Sequence, residues 1–122
     1  MWMLSRDHAY NRATAEAIES VATDTIVIAP PENARLAYAL PVLAWRDQER
    51  FEMYRARPGT VGPLLDAMFH NGYDDVTVVH PAAMQVGVPP GIATVVDATP
   101  GRLRARGIGV HVVRRGNLSE QH

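Results

Sequence analysis

Three apolar runs of this chain end on residues that can do chemistry: Ile28-Ala29-Pro30-Pro31-Glu32-Asn33, Val79-His80-Pro81 and Val96-Asp97-Ala98-Thr99-Pro100. If the runs are parallel strands, Glu32, Asn33, His80, Asp97 and Thr99 gather beyond their carboxyl ends, where open α/β sheets bind ligands. A histidine oriented by an aspartate can serve as a general base or help hold a divalent metal. His8 would join His80 and Asp97 if the first, fourth and fifth strands are neighbours. The competing reading is turn chemistry alone, since Asn, Asp, Thr and Pro also stop strands. No H-x-x-x-H, H-x-H or H-E-x-x-H spacing supports metal binding, so neither metal nor cofactor is expected. The serines, Ser5, Ser20 and Ser119, lie outside any G-x-S-x-G elbow. With no cysteine, disulfides, thiolate metal sites and cysteine nucleophiles are excluded.

All 12 basic residues are arginine. The absence of lysine removes Schiff-base chemistry, lysine general bases and the phosphate-cradling lysine of nucleotide-binding loops. A GC-rich coding source is the plainer explanation. Arg102, Arg104, Arg106, Arg114 and Arg115 lie close together near the end of the chain. Arg102 and Arg106 share a helix face, and Arg102, just past the third run, is a candidate for anion binding. The favoured reading of the cluster is a solvated helix face with cations near a helix C-terminus. The formal net charge is -1 and no aromatics interleave with the arginines, so nucleic acid is not the expected partner.

Helix-period and strand-like segments alternate, the signature of βα units. A short opening run, Trp2-Met3-Leu4, precedes a helix from about Asp7 to Ala22, with Ala13, Ala17, Ile18 and Val21 on one face. Thr25–Ala29 reads as a strand buried on both faces. Asn33 to about Asp47 is helical, kinked by Pro41. Arg50–Ala56 alternates apolar and charged residues, as an edge strand open to pairing with a second copy would. Thr60 caps a helix to Asn71, with Gly72 just past its end. Asp74–His80 and Ile92–Val96 read as the second and third buried strands. Thr99 (N-cap), Pro100 (first turn) and Gly107 bracket a short helix, and Ile108–Val113 is the last strand. The expected fold is an α/β three-layer sandwich with a mostly parallel central sheet of about five or six strands.

On these segments the chain resembles the core of P-loop NTPases, particularly the first domain of superfamily 2 helicases and phage terminases. Thr25–Pro30 with the helix from Asn33 is similar to their strand-Ala-Pro-helix segment after the P-loop. Val76–Pro81 stands in the place of the Walker B strand, and Val95–Arg102 resembles the later strand ending in Ala-Thr-Pro-Gly-Arg. The resemblance puts the P-loop at Ser5–Arg12, where Ser5 and Tyr10 replace glycines, Asn11 the lysine and Arg12 the Mg²⁺-binding hydroxyl. At the Walker B position His80 and Pro81 replace the carboxylates. It therefore implies a layout without ATP or GTP hydrolysis, in a chain of phage or mobile-element origin.

The length of 122 residues suits one domain, expected over residues 1–116 with a polar tail at 117–122. Arg6, Asp7, Arg12, Glu16 and Glu19 near the start are unlike a signal peptide, and no apolar run is long enough for a membrane span, so a cytoplasmic protein without membrane contact is expected. The preferred expectation is a non-catalytic binding or regulatory module with a protein partner or self-association. The alternatives are a small enzyme or ligand-binding domain using the crevice at His80 and Asp97, with a small-molecule ligand, and a self-assembling structural subunit.

Overall fold

The computed structural model describes residues 12–29, 51–88 and 90–116. Trp2–Leu4, His8, Glu32, Asn33, the helix expected from Asn33 to Asp47 and the tail at 117–122 lie outside them. The described chain opens with helix α1 (residues 12–19) and continues through β1 (Thr25–Ile28) and β2 (Glu52–Arg55). A 3₁₀ turn (Pro58–Thr60) then leads into α2 (Val61–His70) and β3 (Asp75–Pro81). β4 (Ala93–Asp97), a single-turn helix α3 (Gly101–Arg104) and β5 (Ile108–Arg115) complete the order.

The strands form one sheet in the order β2-β1-β3-β5-β4. β1 runs parallel to β2 and to β3, whereas β5 is antiparallel to both its neighbours, β3 and β4. The sheet is mixed, not mostly parallel as expected. Chain length explains the difference. Only residues 98–107 separate β4 from β5, and a parallel crossover needs a dozen or more. The short link can only turn the chain back alongside the strand it has just left.

Alternation along the central strands sends side chains to apolar clusters on both faces. Ile26 and Ile28 of β1 join Ala15, Ala17 and Ile18 of α1, Leu103 of α3, Val79 and Val110. Val27 and Ala29 join Val61, Leu65, Met68 and Phe69 of α2, with Val76, Val78 and Val113. β1 is buried throughout because helices cover both of its sides. At ~1.5–3 kcal/mol for each fully buried aliphatic or aromatic side chain, these two clusters supply the main drive to fold.

β2 is an edge strand, as its alternating sequence indicates, and Glu52, Tyr54 and Arg55 are exposed. The hydroxyls of Tyr54 and Tyr73 both donate to Glu52 Oε1, a clamp between the edge strand and the segment entering β3. β4, expected to be buried, is the other edge, with Val95 39% and Val96 55% exposed. An apolar run reports burial only when other elements cover both faces of the strand, and here they do not.

The caps also differ in detail. Thr60 occupies the N-cap of α2, but its hydroxyl donates back to Arg57 O (2.8 Å). Pro100, not Thr99, is the N-cap of α3. Gly72 (φ 96°) and Gly107 (φ 80°) take the left-handed conformation that ends helices on glycine. No helix among the described residues is long and apolar enough to cross a membrane.

Candidate functional site

His80 and Asp97 lie near the carboxyl ends of β3 and β4, but those strands are not neighbours. β5 runs between them and brings a residue that the sequence reading did not single out, His111. In the register His111 stands opposite Asp97 on one side and Val78 on the other, while His80 stands opposite Gly109. Because alternate residues share a face, His80, His111 and Asp97 form a row on one side of the sheet.

The two histidines are joined directly. His80 Nε2 and His111 Nδ1 are 2.6 Å apart, with ring centroids separated by 4.8 Å. His80 Nδ1 lies 2.7 Å from the carbonyl oxygen of Pro81. A carbonyl can only accept, so Nδ1 of His80 carries hydrogen and, in the neutral ring, Nε2 is a lone pair. That lone pair requires His111 to donate from Nδ1. In neutral His111, Nε2 is then the basic nitrogen, and it makes no hydrogen bond within the described residues. The network thus assigns both tautomers through the relay Pro81 O···H–Nδ1 His80 Nε2···H–Nδ1 His111.

Burial sets the division of labour. His80 is 0% exposed, and desolvation, its main influence, holds its pKa below the usual histidine value. His111 is half-buried and reachable from outside. The close packing comes from Gly109: a Cβ there would stand 2.5 Å from His80 Cε1. The imidazole occupies the space that any other residue at position 109 would fill.

Asp97 is held by its own loop. Its Oδ1 accepts the Thr99 hydroxyl (2.6 Å) and backbone N–H (3.0 Å), and its Oδ2 accepts Arg104 Nη2 (2.7 Å). These partners, the Thr99 hydroxyl foremost, keep its carboxyl well below the ordinary carboxylate range. Thr99 Oγ1 also accepts Val110 N–H (2.8 Å), which ties the end of β4 to β5. Thr99 is therefore at the site, but as a structural tie. Arg102 is exposed on α3, and the arginine that reaches the row is Arg104. The signal for His111 was the one polar side chain within Ile108–Val113; Arg104 needed the β4-to-β5 turn.

Among the described residues no group of three or more His, Asp or Glu side chains is arranged to hold a metal ion. A separate open depression, lined by Gly62, Pro63, Asp66, Val88 and Pro90, shares no residue with the row. Chemically, the row offers a proton acceptor at His111 beside a carboxylate–guanidinium pair. Comparison with protein-family models, curated proteins and solved structures finds no match.

Proposed function

We propose that the chain is a small α/β binding domain, of three-layer arrangement, whose strand-end row of His80, His111 and Asp97 takes a small polar ligand. The relay from Pro81 O through His80 to His111 carries this reading. It leaves one oriented imidazole nitrogen to accept an O–H or N–H from a ligand, next to an arginine able to bind an acidic group. His80 is a positioning residue that fixes the His111 tautomer. Binding without turnover is the favoured form, because the only carboxylate in the row, Asp97, already accepts three hydrogen bonds from Thr99 and Arg104. The same observation supports the expectation that the chain does not hydrolyse ATP or GTP. His80, which stands where the P-loop resemblance places a magnesium carboxylate, is buried with both ring nitrogens engaged.

The test is a thermal-shift screen with nucleotides, divalent metals and sugar phosphates, repeated on His111→Ala and Asp97→Ala. A stabilising compound whose effect both substitutions abolish supports the site. A compound that stabilises the wild type and both variants equally binds elsewhere and refutes it. Imidazole nitrogen NMR reads the relay separately: His80 must be the Nδ1–H tautomer and His111 must carry its hydrogen on Nδ1.

A further inference from the structure

We infer that the β4 edge is where a second copy of this chain binds, the two β4 strands pairing antiparallel about Val95. The hydrogen-bond alternation of β4 fixes which groups are available. Gly116 N–H donates to Ile92 O (2.8 Å) and Ala98 N–H donates to Val110 O (2.9 Å). In an antiparallel pair the bonded positions alternate, so Ile92, Thr94, Val96 and Ala98 face β5. The N–H and C=O groups of Ala93, Val95 and Asp97 therefore point away from the sheet, and among the described residues nothing pairs with them.

That outward set is complementary to itself. When two copies meet about Val95, Val95 stands opposite Val95, and Ala93 of each stands opposite Asp97 of the other. Every outward N–H then meets an outward C=O, as a closed twofold interface requires. On the same face, Asp97 of one copy enters the row that continues through Ala93 to Arg115 of the other. The two Asp97 carboxylates are kept apart, since each stands opposite Ala93 on its own side of the twofold axis.

Exposure favours an added strand over a helix or a ligand. Val95 and Val96 point to opposite faces and both are exposed, so an occupant must cover both sides of the strand. Edge strands are ordinarily guarded by lysine, proline, bulges or charge. Residues 93–97 carry no such guard ahead of Asp97, whereas β2, the edge indicated by the sequence pattern, carries Glu52, Arg55 and the tyrosine clamp. One strand per copy makes a small contact of the transient class, so the dimer is concentration-dependent.

Sedimentation of the full chain from micromolar to millimolar concentration tests the inference, with amide exchange as a residue-level readout. The wild type is expected to reach a dimer and no further. The Ala93, Val95 and Asp97 amides slow by about tenfold or more as it forms, while Thr94 and Val96, already bonded to β5, do not change. Val95→Pro removes an outward N–H without touching the β5 ladder, and Val95→Arg sets two guanidinium groups face to face. Each is expected to stay monomeric with an unchanged circular dichroism spectrum. An equimolar mixture of Val95→Arg and Val95→Glu restores a dimer only if residue 95 faces itself. A monomeric wild type, a dimer indifferent to Val95→Pro and Val95→Arg, or growth beyond two copies would each overturn the inference.

Discussion

Gly109→Ala is the sharpest test of the histidine relay, because it adds a single methyl group to a buried strand. In most strands the change is mildly favourable. Gly109 is not among the glycines with positive φ, and a compatible Gly→Ala change stabilises by ~0.4–1 kcal/mol through the unfolded chain. Here the new Cβ would lie 2.5 Å from Cε1, 2.9 Å from Nε2 and 3.1 Å from Nδ1 of His80. The ring cannot swing aside cheaply, since Pro81 O and His111 Nδ1 hold its two nitrogens at 2.7 and 2.6 Å. Overpacking of this kind costs ~1–3 kcal/mol, and a buried imidazole nitrogen displaced from its partner adds ~1–3 kcal/mol. Set against the backbone gain, the net loss is about 1–5.5 kcal/mol. At about 4 °C for each kcal/mol in a domain of this size, Tm falls by roughly 4–22 °C. Urea unfolding of wild type, Gly109→Ala, His80→Ala and the double variant closes the cycle. With the ring gone, Gly109→Ala is expected to be neutral or stabilising. An equal cost with and without the His80 ring would refute the close approach, and so would a Gly109→Ala chain as stable as the wild type.

Acidification should destabilise the protein in two separate windows. The His80 pKa is depressed by burial, so the unfolded chain takes up a proton before the folded one does. The stability this represents is complete above the ordinary histidine value of about 6.5 and is lost as pH falls below it, with a slope of up to about 1.4 kcal/mol per pH unit. Asp97 and Glu52 have depressed carboxyls, through the Thr99 hydroxyl and the Tyr54 hydroxyl respectively, so their contribution disappears only in the acid range below about pH 4. A melting-temperature profile flat from pH 7 to 5 would contradict the buried neutral His80. Thr99→Val leaves the N–H of buried Val110 without its side-chain acceptor and is expected to cost ~1–3 kcal/mol by chemical unfolding. Thr99→Ser should cost less than about 1 kcal/mol, since it keeps the oxygen; equal losses for the two would show that the methyl group matters instead. Thr77, fully buried, accepts Thr23 N–H at 2.7 Å. Thr77→Val is therefore expected to lose ~1–3 kcal/mol despite its matched shape, and no loss would mean that water or another group replaces the hydroxyl.

Local pattern was enough for most of the described elements. Continuous apolarity marked Thr25–Ile28 as a doubly covered strand, alternation marked Glu52–Arg55 as an edge, and Gly72 and Gly107 marked helix ends. Each is a near-neighbour property, governed by side-chain period and by the steric freedom of glycine. Val95 and Val96 misled because hydrophobicity describes a side chain's preference, while burial depends on which elements lie over it.

Residue types by themselves determined that this chain carries no thiol or lysine chemistry, and that polar groups cluster where apolar runs stop. They also placed His80 and Asp97 near strand ends. Tertiary structure decided which of these groups meet. A link of residues 98–107 is too short for a parallel crossover, so β5 folds back between β3 and β4. That reversal inserts His111 between His80 and Asp97, sets Gly109 against the His80 ring and leaves β4 as the open edge. Strand neighbours of this kind depend on loop length and sheet order, which no local run of residues encodes.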